Sequence, residues 1–169
     1  GYGNTETLFK DRLIDTLIGG VIAFVVSYWI LPVWEHTQNQ PLILKTLAAN
    51  RRYFDIICTM LQDKSGEYLE EFKIRRKAAL IAMANLADNF QRMLSEPENK
   101  KTNIQYIHQF VSTNNLLTSY IASLSMYANK PAIYPEINIP QWQEQIDLIF
   151  NNTIDYINRE FYVDRKSVV

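Results

Sequence analysis

One uncharged run constrains this chain more than any other feature. From Thr16 to Trp34, a stretch of 19 residues, no charged side chain occurs. At about 1.5 Å rise per residue, a helix of that length measures about 28 Å, close to the hydrocarbon thickness of a bilayer. The sequence therefore predicts a transmembrane helix over about residues 12–34. A core helix buried inside a bundle is the alternative, since Asp15 and the adjacent glycine pair would also fit there.

Small and polar residues share one face of this predicted helix. Gly19 and Ala23 are spaced by four, which lets a second helix approach closely in lipid. Arg12 and Asp15 are three residues apart and are expected to pair near the membrane interface. We expect this face to pack against other helices, and its candidate residues are Arg12, Asp15, Thr16, Gly19, Gly20 and Ala23.

Composition limits the classes of partner. The chain has 17 basic and 18 acidic side chains and a formal net charge of −1, which argues against a general nucleic-acid binder. Its single cysteine, Cys58, lies in an apolar helical pattern and is expected to pack in the core. The chain starts GYGNTETLF, without Met and without the basic region of a signal peptide, so we expect a C-terminal piece of a longer protein.

Apolar spacing of three and four predicts an all-α fold, with one transmembrane helix followed by a four-helix, bundle-like domain. The five helices are expected near residues 8–34, 41–62, 67–95, 102–128 and 139–161. The corresponding division of the chain is a membrane segment with its linker, a helical domain and a loose tail, over residues 1–40, 41–162 and 163–169.

Each of the last four helices has an apolar stripe that is predicted to face inward. Local signals mark two of the helix starts: Thr102-x-x-Gln105 has the form of a capping box, and Asn138 or Ile139 is expected to cap the last helix. The predicted inward residues are Ile43, Leu47, Phe54, Ile57 and Leu61, then Leu69, Phe72, Ala79, Met83, Leu86, Phe90, Met93 and Leu94, then Ile107, Phe110, Val111, Leu117, Ile121 and Leu124, and finally Trp142, Ile146, Ile149, Thr153, Tyr156 and Phe161.

The third predicted helix has the densest charge in the chain, at Lys73, Arg75, Arg76 and Lys77. One interpretation is a solvated face countered by glutamates about one turn earlier in the helix. The other is a surface that contacts anionic lipid headgroups or an acidic partner.

The sequence offers no pattern for catalysis or for a metal site. Its two histidines, His36 and His108, lie in different elements, and neither belongs to a metal-ligand spacing. Cys58 and these histidines do not form a nucleophile–base motif, and no P-loop or dinucleotide-binding glycine motif occurs. We therefore expect a protein that is not an enzyme, with no cofactor and no metal.

Three stretches resemble one family. The segment Arg12–Glu35, RLIDTLIGGVIAFVVSYWILPVWE, resembles the R-x-x-D-T-x-x-G last spanning helix of the bacterial fusaric-acid-resistance or aromatic acid exporter (FUSC-type) inner-membrane proteins. Arg75–Pro97, RRKAALIAMANLADNFQRMLSEP, resembles the family's long helix with Ala-Asn-Leu and a terminal Glu-Pro. His108–Tyr127, HQFVSTNNLLTSYIASLSMY, is the third match, in the family's order. A more distant similarity is to plant malate channels.

The resemblance implies the last membrane helix plus the cytoplasmic domain of a multi-pass transporter. The implied activity is efflux of organic anions such as aromatic carboxylic acids, with the chain in the bacterial inner membrane and residues 41–169 in the cytoplasm. Its partners would be the other transmembrane helices, the bilayer and a second copy of the protein. The alternative from a different class is a membrane-anchored helical scaffold or protein-interaction domain without transport activity.

Overall fold

The computed structural model describes residues 5, 7–17, 20, 40–95, 104–131, 133–135 and 137–167. These residues form five helices and no strand, which confirms the predicted all-α class for the described part of the chain. The first helix, α1, covers residues 7–17, and residue 20 is also helical. The others are α2 (Gln40–Gln62), α3 (Leu69–Leu94), α4 (Ile104–Ala128) and α5 (Ile139–Ser167).

The predicted transmembrane helix lies mostly outside the described residues, which omit 18, 19 and 21–39. Two of its candidate residues, Gly19 and Ala23, belong to that part. Among the helices that are described, none has the length and apolarity required to cross a bilayer. The spanning helix therefore stays a prediction.

Helix α2 is central, because it packs against α3, α4 and α5, while α3 also packs against α4. Its inward stripe is as the 3.6-residue period predicts: Ile43 and Ile57 are fully buried, and Leu47, Phe54 and Leu61 are nearly so. All six predicted inward residues of α4 are buried as well. Burying these stripes against one another removes apolar surface from water and holds the bundle together.

The predicted inward stripe of α3 is wrong at its two ends. Leu69 is 42% exposed and Leu94 is 41% exposed, whereas Phe72, Leu86 and Phe90 between them are buried. Leu69 and Leu94 are the first and last residues of α3. The spacing of apolar residues in one helix does not tell where the neighbouring helices end. Near the ends of a helix, the spacing therefore predicts burial at positions that no neighbouring helix covers.

Local signals explain several helix ends. Gly66 adopts φ 82°, a left-handed conformation that suits glycine in the tight connection between α2 and α3. Asn138 is the cap of α5, since its Oδ1 accepts a hydrogen bond of 3.2 Å from the Gln141 backbone N–H. The last helix is longer than predicted, because α5 continues to Ser167 and does not end near residue 161. The sequence between 161 and 167 contains neither Gly nor Pro to stop the helix. Thr102 of the predicted capping box lies outside the described residues.

Candidate functional site

Helix α1 lies along α4 in the opposite chain direction. Near the start of α1, the Phe9 ring meets the Tyr127 ring edge-on with centroids 4.3 Å apart. Further along α1, Gly20 lies beside Leu117 and Tyr120 of α4. The beginning of the uncharged run therefore packs against the middle of α4, and the two helices are antiparallel.

Gly20 is the predicted packing residue that the structure places at a helix contact. It is buried, and a Cβ atom built on it would lie 3.9 Å from Leu117 Cδ1 and 3.9 Å from Tyr120 Cδ2. That separation is an ordinary van der Waals contact, so one methyl group fits at this position. The candidate residue thus contacts a helix of its own chain.

Arg12 and Asp15 lie on the exposed side of α1. In the described part of the chain these two side chains do not form the expected ion pair. The ion pairs found there join other residues, on α2, α3 and α5. Both side chains instead border a groove of about 230 Å³ between α1 and α4, together with Ser123 and Tyr127. Thr16 also borders this groove, and its Oγ1 donates a 2.7 Å hydrogen bond to the Arg12 backbone carbonyl.

A smaller apolar cavity of about 40 Å³ lies where α1, α2, α4 and α5 meet. Its walls include Leu17, Gly20, Phe54, Tyr120 and Phe150. The volume is comparable with that of one water molecule, and the described walls are almost wholly apolar.

The basic cluster divides into paired and unpaired residues. Lys73 Nζ lies 2.8 Å from Glu70 Oε1, and Arg75 Nε lies 2.6 Å from Glu71 Oε1. Arg75 also donates a 3.2 Å hydrogen bond to the Arg52 backbone carbonyl, which ties α3 to α2. Lys73 and Arg75 therefore fit the first interpretation, a solvated face whose cations are countered by glutamates one turn earlier.

Arg76 and Lys77 are exposed and have no ion-pair partner within the described residues. Apolar side chains accompany them on the outer surface of α3: Ile74 is 62% exposed and Ile81 is 48% exposed. From Phe72 to Ala87 the helix contains four basic residues and no acidic one. This combination of cations and exposed isoleucines is the pattern that suits an interface with anionic lipid.

A polar cluster links α2 to α5. Arg51 Nε lies 3.9 Å from Asp55 Oδ2 and 3.7 Å from Asp147 Oδ1, and Arg51 Nη1 donates a hydrogen bond to Asn151 Oδ1. Gln143 Nε2 donates a 3.2 Å hydrogen bond to Asp55 Oδ1. Two carboxylates from different helices therefore share one guanidinium group.

The shared position changes the acidity of Asp147. The pKa of the Asp147 carboxyl is raised from 3.8 to about 7, chiefly by burial; the hydrogen bond and the charge of Asp55 contribute to the rise, and Arg51 opposes it. The Oδ1 atom of Asp147 is buried and accepts no hydrogen bond from the described residues. Burial stabilises the protonated form relative to the carboxylate, and the protonated form can also donate a hydrogen bond to Asp55.

Cys58 is buried in the core, as predicted. Burial raises the pKa of its thiol, and the charges of Asp55 and Asp147 add to the effect. Because the thiolate is the reactive form, Cys58 is a packing residue and not a nucleophile. Among the described residues, no group of three or more His, Cys, Asp or Glu side chains could hold a metal ion.

The sequence interpretation missed the Asp55–Asp147 pair. Asp55 lies between inward residues of α2, and Asp147 directly follows the buried Ile146 on α5. An acidic residue at the edge of an apolar stripe is the signal that could have drawn attention to each of them. Their pairing depends on how α2 and α5 meet, which a single sequence does not state.

Two known proteins are similar to this chain in sequence. The chain is 30% identical over 116 residues to the inner membrane protein YccS of Escherichia coli, and the match covers 69% of this chain and 16% of YccS. It is 27% identical over 127 residues to an uncharacterized protein of Haemophilus influenzae, covering 75% of this chain and 18% of that protein. The chain thus spans less than a fifth of the length of these relatives. No family model and no solved structure matches it.

Proposed function

We propose that this chain is the C-terminal part of a multi-pass inner-membrane transporter of the FUSC type, which exports organic anions such as aromatic carboxylic acids. The observation that carries the proposal is the similarity to the inner membrane protein YccS over 69% of the chain. The uncharged run from Thr16 to Trp34 adds physical support, since its length matches a bilayer.

In this proposal the chain contributes the last membrane helix and a cytoplasmic helical domain for assembly or regulation. The contact of Gly20 with Leu117 and Tyr120 supports such a role, because it joins the start of the uncharged run to the bundle. A displacement of the membrane helix would therefore reach α4 through close packing. The domain needs no catalytic group or cofactor for this purpose, and its partners are the remaining transmembrane helices, the bilayer and a second copy of the protein.

The basic cluster is proposed to contact anionic lipid headgroups. Arg76 and Lys77 are the leading residues, because they are exposed and not committed to a carboxylate in the described part of the chain. Lys73 and Arg75 extend the same basic region but are paired with Glu70 and Glu71. Each cation near an anionic membrane surface contributes about 1 kcal/mol, so a few suffice to orient a domain that is already tethered.

Transport is tested in a bacterial strain that lacks the gene for the full-length parent protein. We expect this strain to be sensitive to added aromatic carboxylic acids and to accumulate them from the medium. The complete gene should restore resistance, and a gene truncated before Gly1 should not. A parent protein with Thr16–Trp34 as its sole hydrophobic segment, or a deletion strain with unchanged accumulation, would favour the membrane-anchored scaffold instead.

Orientation is tested separately with reporter fusions. Alkaline phosphatase, which is active only outside the inner membrane, should be silent when fused after Val169, and a green fluorescent protein at the same position should fluoresce. The reverse pattern would place residues 41–169 on the periplasmic side and would contradict the assignment to the cytoplasm.

A further inference from the structure

Five polar side chains meet along the seam between α2 and α5. None of them belongs to a site that the proposed function uses. From α2 come Arg51 and Asp55, and from α5 come Gln143, Asp147 and Asn151. The side chain of Asp147 is 23% exposed, so the pair lies at the rim of the seam, where protons can exchange with water. This access distinguishes the cluster from the buried amide groups of Asn50 and Asn114, which meet between α2 and α4.

The charges of the cluster do not balance when both carboxyl groups are ionised. Arg51 is its cation, and it lies 3.9 Å from Asp55 and 3.7 Å from Asp147, distances that are long for strong ion pairs. Because Arg51 also donates to Asn151, it cannot serve both carboxylates with short bidentate bonds. One proton shared by the two carboxyl groups removes the excess negative charge and supplies a hydrogen bond between them.

We infer that Asp55 and Asp147 form a proton-binding site shared by α2 and α5, and that loss of this proton loosens α5 from α2. The other titratable groups near Asp147 are Arg51 and Cys58 of α2, and Glu144 on the exposed side of α5 one turn earlier. Helix α4, which borders the same cavity as α5, contains no Asp, Glu, Lys or Arg. The inference is independent of the proposed transport activity.

The direction of the pH effect follows from the raised pKa of Asp147. When α5 is docked the carboxyl titrates at about 7, and when α5 is released it returns toward 3.8. Between these values the docked state holds a proton that the released state has lost, so the docked state weakens as pH rises. The equilibrium constant for opening of α5 should therefore increase by up to about tenfold per pH unit in that window and level off above it.

The experiment measures hydrogen–deuterium exchange of the α5 amides in the full chain in detergent, corrected for intrinsic exchange rates, from about pH 5 to about pH 8. In the wild type we expect the opening constant to rise with pH and then level off. Asp147→Asn carries a neutral amide in place of the protonated acid, so its α5 opening should not change with pH. Asp155→Asn is the matched control, because Asp155 is exposed on the same helix, and it should keep the wild-type profile.

A carbon-13 NMR titration of labelled aspartate carboxyl groups tests the proton itself. We expect one wild-type resonance to titrate near pH 7, to disappear in Asp147→Asn, and to titrate at lower pH in Asp55→Asn, where Arg51 has a single carboxylate to pair with. If no wild-type carboxyl titrates above about pH 6, the shared proton does not exist. If α5 opening in Asp147→Asn follows the wild-type pH profile, the proton does not control the docking of α5. Either result overturns the inference.

Discussion

The Nδ2 group of Asn50 on α2 donates a 2.9 Å hydrogen bond to Oδ1 of Asn114 on α4. Both residues are buried, at 0% and 3% exposure. Thr118 extends the link, because its Oγ1 donates a 3.0 Å hydrogen bond to Asn50 Oδ1. A polar contact in an apolar seam is satisfied in one alignment of the two helices, so it selects the register in which α2 and α4 pack.

Replacing Asn50 with Leu should destabilise the bundle by about 1–3 kcal/mol, because the buried Asn114 Oδ1 loses its donor. The double substitution Asn50→Leu/Asn114→Leu should cost less than the sum of the two single changes, since neither partner then stays unpaired. Urea unfolding followed by circular dichroism measures the difference. Asn115→Ala, at an exposed position on α4, is the control and should change stability by less than about 0.5 kcal/mol. Strict additivity would contradict the coupling.

Substitutions at Gly20 should separate by size. Gly20→Ala should be close to wild type, because its Cβ would meet Leu117 and Tyr120 at ordinary contact distance. Gly20→Leu adds three more carbon atoms at that contact and should weaken the packing of α1 on α4 by about 1–3 kcal/mol. Protease protection of residues 7–17 in the full chain reports the packing. Val25→Leu, which the uncharged run should tolerate if residue 25 faces lipid, is the comparison within the same segment. Equal effects of Gly20→Leu and Val25→Leu would mean that this contact does not hold α1.

The basic surface of α3 should dock on anionic lipid. A fluorophore on Ala78→Cys should be shielded from acrylamide in nanodiscs containing phosphatidylglycerol and exposed in phosphatidylcholine nanodiscs. Neutralising two cations with Arg76→Gln/Lys77→Gln should weaken docking by about 2 kcal/mol, or about thirtyfold.

The matched control for this measurement is Lys45→Gln/Arg159→Gln, which removes the same charge from exposed positions on α2 and α5. Shielding should survive in the control and be lost at about 1 M salt, where the Debye length falls to about 3 Å. If both charge variants lost shielding equally, docking would depend on the net charge of the protein and not on Arg76 and Lys77.

Cys58 should resist alkylation in the folded protein. Its side chain is buried, and the raised pKa of the thiol keeps it protonated at neutral pH. Iodoacetamide should therefore modify Cys58 only after unfolding in urea, as read by mass spectrometry. A second thiol introduced by Ser112→Cys, at an exposed position on α4, should react in the folded state and show that the reagent is active. Rapid modification of Cys58 in the folded chain would contradict its place in the core.

The sequence by itself determined the four helices α2–α5 and most of the core that they share. Helical spacing predicted α2–α5 and the inward positions of α2 and α4, because a period of 3.6 residues is a property of one helix. Asn138, one of the two residues expected to cap α5, does so through its side-chain oxygen. The same spacing overstated the stripe of α3 at Leu69 and Leu94, where coverage depends on the lengths of neighbouring helices.

The tertiary structure alone decided which polar residues meet. Asn50 and Asn114 are 64 residues apart in the chain, and no local rule pairs them. Asp55 and Asp147 come together because α5 docks on α2, and burial in that seam together with the neighbouring Asp55 raises the pKa of Asp147. Hydrogen bonds and charge interactions act over a few ångströms in space, so they depend on the three-dimensional packing that the one-dimensional pattern leaves open.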